Sequence, residues 1–266
     1  MKSLAGKTLR SSLLLLAFTP AAWAEDRLIL TADGVTLTDT DGGAGGSIGW
    51  LHNFGPKVVV GASAEYQTLA DAQWAFGTLS GALTGGPDGK KWSVYGDARK
   101  GSGDDDAHDF TYQSALLGVS LPLYRRLSLQ IEDKQIDIDT THGNLPKAGL
   151  TFVWTPRLQT AVSYAHSISG NLGTELTQAR LDYYGKSLHF ITGAAFGPAN
   201  TVVLGDPSLA QNFPDRSVRQ GFLGFSRAYS RAEFLMLGDY LKIGDSERVT
   251  LTLSCMIHLN PPEKPK

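Results

Sequence analysis

The sequence predicts an all-β chain closed into one antiparallel transmembrane β-barrel of about fourteen strands, with twelve as the alternative. Three observations predict it. Apolar and polar residues alternate along most of the chain in stretches too long for ordinary soluble strands. The connections between these stretches are short and longer in turn. The chain also opens with an export signal.

The leader comes first. Lys2, Lys7 and Arg10 precede a short apolar run, Ser11–Phe18, and Ala22-Trp23-Ala24 has the small-x-small form of a cleavage site. The apolar run falls short of the ~20 residues that a spanning helix needs. The expected division is therefore signal peptide 1–24, barrel 25–259 and polar tail 260–266.

The alternation is cleanest in the last strand, RVTLTLSCMIHL. Val249, Leu251, Leu253, Cys255, Ile257 and Leu259 share one face, and Thr250, Thr252, Ser254, Met256 and His258 the other. Strands are expected near 27–38, 45–55, 57–68, 73–84, 91–100, 110–123, 126–138, 147–155, 157–168, 175–185, 187–197, 217–229, 231–242 and 247–259. In the seventh, Leu127, Leu129 and Ile131 fit one parity and Ile136 and Ile138 the other, which a bulge near Glu132–Lys134 would reconcile.

The connections sort by parity. Turns such as Phe54–Lys57, Leu123–Arg125, Thr155–Arg157, Gly185–Ser187 and Tyr229–Arg231 alternate with longer, acidic loops, of which the segment from Pro198 to Arg216 is the longest. Short periplasmic turns, longer outer loops and an even strand count are the arrangement of outer-membrane barrels. The face opposite the apolar one is rich in Gly, Ser, Thr and Ala, which suits a curved interior, whereas a soluble sandwich usually turns Lys, Glu and Arg to solvent. Closure follows, because an open sheet edge in hydrocarbon leaves backbone groups unpaired. Aromatics gather near both strand ends. Phe54, Trp92, Tyr124, Trp154, Tyr183, Phe190, Tyr229 and Phe234 lie near the short turns, and Tyr66, Trp74, Phe110, Tyr112, Tyr164, Phe196 and Tyr240 near the loops, as two interfacial girdles would be placed.

Within the class of Gram-negative outer-membrane β-barrels, ARLDYYGKSLHFITGAAFG (179–197) and GFLGFSRAYSRAEFLMLGDY (221–240) resemble the second half of the YaiO-type barrels. The chain departs from the usual barrel ending, since Leu259 rather than an aromatic residue closes the last strand. The resemblance implies a cell-envelope protein near surface-polysaccharide functions.

Candidate chemistry is sparse. A net charge of −2 without a basic patch argues against nucleic acid as a partner. Cys255 is the only cysteine and sits on an apolar strand face, the setting of a small hydrophobe. Asp104, Asp105, Asp106 and Asp109, with His108, form an acidic loop that reads as solvated; calcium bridging to lipopolysaccharide is the alternative. His166 and Ser169 resemble the His-x-Ser-Asn motif of lipid A deacylases, but a catalytic pair on one strand face needs i, i+2 spacing. The sequence calls for no cofactor. What remains is an interior with charges of both signs: Glu65, Asp97, Arg99, Glu132, Arg180, Asp182, Arg219, Arg227, Glu233 and Asp239. They either tune solute passage or pair to brace the wall. The expected function is a channel or accessory barrel for solute or surface-polymer passage. The rivals are a lipid-modifying enzyme and a non-conducting structural or receptor barrel. The expected partners are outer-membrane lipid and lipopolysaccharide, the barrel-assembly machinery and a surface-polymer export system.

Overall fold

The computed structural model describes residues 25–38, 41–69, 72–87, 91–104, 109–139, 141–170, 172–198, 217–244 and 246–259. The leader, the segment 199–216 and the tail 260–266 lie outside the described residues.

Alternating sequence becomes fourteen strands: β1 (Glu25–Leu37), β2 (Gly43–Phe54), β3 (Val58–Leu69), β4 (Ala72–Gly85), β5 (Trp92–Asp104), β6 (Asp109–Tyr124), β7 (Leu127–Ile138), β8 (Thr141–Thr155), β9 (Leu158–His166), β10 (Glu175–Tyr184), β11 (Leu188–Pro198), β12 (Ser217–Ala228), β13 (Ala232–Ile243) and β14 (Ser246–His258). Each strand pairs antiparallel with its sequence neighbours, and β14 closes on β1 in unbroken register from Arg27↔His258 to Leu37↔Arg248. Closure gives every strand two partners and leaves no sheet edge.

The β2–β3, β4–β5, β6–β7, β8–β9, β10–β11 and β12–β13 connections, of two to six residues, lie at one end, which we call the short-turn end. Gly55 there adopts φ 70°, a left-handed conformation that glycine takes without the Cβ penalty. The other end carries the remaining connections, and here the structure departs from expectation. Most of those loops are shorter than the sequence suggested, because the strands run further. β5 and β6 pair as far as Asp104↔Asp109, and β7 and β8 as far as Ile138↔Thr141.

The bulge expected near Glu132–Lys134 is not there. β7 stays in continuous register with β6 and β8 through that stretch. Instead the character of the two faces swaps along the strand. Leu127, Leu129 and Ile131 point outward, then Asp133, Gln135 and Asp137 take over the outer face while Ile136 and Ile138 turn inward and are buried. Register shifts occur elsewhere, at Pro122/Tyr124 and Val153/Thr155. Pro146 sits immediately beyond the last β8–β9 pair, Lys147↔Ala165, a position where a strand tolerates a residue with no N–H. Residues 167–170 take the place of β9 beside it. The amide of Ile168 donates to the Asn144 carbonyl at 3.2 Å, and the amide of Asn144 donates to Ser169 Oγ at 3.1 Å.

The outer face is a belt of bare hydrophobic side chains, among them Ile48, Leu79, Leu117, Val162, Leu223, Leu251 and Leu253, each about half exposed or more. A continuous apolar belt of this kind is an interaction surface, and on a closed barrel it is the surface that faces lipid. Cys255 lies on it, between Leu253 and Ile257. In protein embedded in vesicles Cys255 is expected to resist a charged, water-soluble maleimide and to label after denaturation; rapid labelling of the embedded fold would place that face in water.

Candidate functional site: the barrel lumen

The site is the inward face, and it is layered. Toward the end opposite the short turns lies an apolar collar. β4 supplies Trp74 and Phe76, β6 Phe110 and Tyr112, and β7 Ile136 and Ile138; Leu69, Leu145, Leu241 and Ile243 complete it from other strands. All are buried, and Tyr112 and Ile138 completely so. Phe76 and Tyr112 meet edge to face at 5.2 Å, an arrangement that the ring quadrupoles favour. Leu172, from the connection between β9 and β10, is buried within the same cluster. Trp74, Phe110 and Tyr112 therefore belong to the lumen and not to an outer girdle as the sequence suggested. Tyr66, Tyr164, Phe196 and Tyr240 do stand exposed.

Below the collar the lumen is polar and several of its charges are paired. Arg99 marks the boundary. Its guanidinium donates to Glu65 Oε2 at 3.1 Å and lies 4.0 Å from the centroid of Phe76, so one side chain links an ion pair to the collar through a cation–π contact. On β7, Glu132 is buried and gathers three partners: Lys147 Nζ at 2.5 Å, the Tyr95 hydroxyl at 2.7 Å and Gln130 Nε2 at 2.6 Å. Gly118 makes room for this cluster, since a Cβ there would stand 2.4 Å from the Tyr95 ring. Asp33 accepts from Gln67 Nε2 at 2.7 Å, and Asp239 from Gln220 Nε2 at 2.7 Å with Arg248 Nη2 3.7 Å away.

Nearer the short-turn end, Asp182 is almost fully buried. Arg180 donates to it from Nε at 2.8 Å and Nη2 at 2.6 Å, and His189 Nε2 lies 3.2 Å from Oδ1. The His189 ring stacks on Tyr184 at 4.3 Å, and Gln159 Nε2 donates to the Tyr184 hydroxyl at 3.0 Å. Ser226 donates to Glu233 on the neighbouring strand. Two-residue spacing along one strand (Arg180 and Asp182, Gln130 and Glu132) puts both groups on one face, which is why such contacts form.

Of the charges expected inside, Glu65, Asp97, Arg99, Glu132, Arg180, Asp182, Glu233 and Asp239 share the inward face. Arg219 and Arg227 do not. The inward positions of β12 are Val218, Gln220, Phe222, Gly224 and Ser226, which leaves both arginines on the outer face near the two strand ends. Arg219 is paired across strands with Lys242, and Arg227 lies 5.3 Å from the Tyr229 ring. Strand ends are where an outward charge costs least in a barrel. The sequence reading missed Lys134, Lys147, Asp33, Arg248 and the Tyr95–Gln130 pair. Parity gave a signal for Lys134, two residues beyond Glu132.

The alternative sites come apart. His166 is outward and exposed, with its ring parallel to Tyr164 at 6.4 Å. The hydroxyl of Ser169 is held by Asn144, donating to Oδ1 at 3.2 Å, so it anchors the connection to β8. Asp104 and Asp109 face each other across β5 and β6, and Gln73 Nε2 donates to both Asp104 oxygens at 3.2 Å. Asp105 and Asp106 lie outside the described residues, and among the described residues no three potential ligands come together to hold a metal ion.

No known protein family matches the sequence, and no curated protein matches it. Solved structures do match in shape. The CymD monoaromatic hydrocarbon channel aligns over 97% of this chain and 95% of its own, with a TM-score of 0.66 at 11% identity. The Pseudomonas putida toluene transporter TodX aligns over 97% and 95%, with a TM-score of 0.54 at 12% identity. Acinetobacter baumannii Omp33 aligns over 88% and 99%, with a TM-score of 0.51 at 11% identity. At such identities the likeness is one of fold, and this chain is similar in fold to outer-membrane β-barrels.

Proposed function

We propose that the protein is a passive channel of the bacterial outer membrane, with the short-turn end in the periplasm, and that it passes small, largely apolar solutes. The apolar collar carries this reading. Aromatic and aliphatic side chains pack across the lumen at the end opposite the short turns, and Arg99 joins them to an ion-paired belt. A lumen built only for ions has no use for such an apolar plug, whereas a small apolar solute that parts these side chains gains ~25 cal/mol for each Å² it buries among them. The names of CymD and TodX, a hydrocarbon channel and a toluene transporter, support the same class of solute. The sequence resemblance of 179–197 and 221–240 to YaiO-type barrels supports surface-polymer passage instead.

Two measurements decide. Toluene uptake at limiting concentration is compared in intact cells carrying or lacking the protein, and ion current is recorded in planar bilayers. Faster toluene uptake is expected, and Ile136→Asn in the collar is expected to reduce it about tenfold, the effect of ~1.4 kcal/mol on solute binding. A sizeable current with unchanged toluene uptake overturns the apolar reading in favour of polymer or general solute passage. Neither signal from a folded barrel retires the channel.

A further inference from the structure

The short-turn end carries a second surface, which rests on the membrane reading above. Six connections close that end, and each carries a cation: Lys57, Lys91, Arg125 with Arg126, Arg157, Lys186 and Arg231. All are exposed, and in the sequence of these six connections Asp88, between β4 and β5, is the single acid. Among the described residues this ring of cations is interrupted at the seam, where Asp26 of β1 accepts from the Trp50 indole at 3.0 Å and lies 2.8 Å from His52 Nδ1. The opposite end is acidic at Asp41, Asp109, Asp137 and Asp139.

We infer that this ring of cations binds the phosphates of anionic phospholipids in the leaflet around the short-turn end. Three features identify that occupant. The cations are spread over successive turns around the perimeter, which fits an annular shell of lipid; a protein partner leaves a one-sided patch. They lie immediately beyond exposed rings, Trp92, Tyr124, Trp154 and Tyr229, that sit at headgroup height. The surface is continuous with the apolar belt, so one lipid can fill both with chain and headgroup. Four of the seven cations are arginines, whose planar fork binds phosphate through paired N–H donors. Arg126 is already oriented, donating to the Trp154 carbonyl at 3.0 Å.

The tryptophans supply the test. Trp50, Trp92 and Trp154 stand exposed on the outer face toward this end, whereas Trp74 is buried in the lumen. The full mature chain is reconstituted in vesicles, and quenching by brominated phosphatidylglycerol is compared with quenching by brominated phosphatidylcholine. The expected result is a preference of about threefold to fivefold for the anionic lipid, declining with salt. R125Q/R126Q/R157Q is expected to lower it, and R125K/R126K/R157K to retain it. K57Q/K186Q/R231Q provides an independent set that leaves the Arg126–Trp154 contact untouched. Equal quenching by both lipids overturns the inference while leaving the barrel in the membrane, as does a preference that survives both neutral sets. Absence of quenching by either lipid overturns the membrane reading itself.

Discussion

Replacing Leu79 by arginine is expected to destabilise the barrel by about 2–4 kcal/mol, the cost of a cation on the lipid face near the bilayer midplane. Leu79 lies halfway along β4 and is the most exposed residue of the belt on that strand, at 67%. Its cross-strand neighbours are Ala62 and Ala98, so an arginine there finds no carboxylate within one strand on either side. Ser80→Arg is the control. Ser80 points inward and pairs with Asp97, so the same side chain enters a polar interior with an anion at hand, and the cost is expected to stay below about 1 kcal/mol. Urea unfolding from lipid vesicles, followed by the shift in gel mobility of the folded form, measures both. The adjacent positions differ in little but parity. If Ser80→Arg were the more damaging, the faces would be reversed and the chain would be a water-soluble barrel with an apolar core.

Much of this was legible because a membrane strand writes its geometry directly into sequence. The final strand shows why. With period two, six apolar residues from Val249 to Leu259 specify one face without any tertiary knowledge, and turns such as Thr155–Arg157 fix where the direction reverses. Alternation does not show, however, that a face can change character partway along a strand. Ile136 and Ile138 looked like a register fault, although they are the inward apolar residues of a wall whose outer face has become polar. The same blindness put Trp74, Phe110 and Tyr112 in an outer girdle. Charges misled at strand ends for a related reason. Arg219 and Arg227 were placed inside because charge was equated with lumen, but outward charge is tolerated near the interfaces. The pairing of Glu132 with Lys147 depends on the β7–β8 register, which parity alone leaves open.

That pairing decides what the luminal charges do, and its removal is the second large effect. Glu132→Ala deprives Lys147, the Tyr95 hydroxyl and Gln130 of a shared acceptor. Removing one member of a fully buried ion pair costs ~3–5 kcal/mol. The Lys147 side chain is 26% exposed, so part of its charge is recovered by water and a loss of about 2–3 kcal/mol is expected. Lys147→Ala strands the more deeply buried carboxylate, which keeps the Tyr95 hydroxyl and Gln130 as donors, and should cost a similar amount. In the double variant neither charge is left alone, so its loss should fall short of the sum by about 1–2 kcal/mol. Unfolding midpoints of the four proteins in one lipid give this coupling. A coupling near zero would mean that the two charges are solvated separately by a water-filled pore. Glu132 and Lys147 would then act as independent selectivity groups, and each single variant would shift the cation-to-anion permeability ratio in planar bilayers without moving the unfolding midpoint. The shared partners and the 2.5 Å separation instead make the pair a strut between β7 and β8 beneath the collar, so the single variants should move stability far more than selectivity.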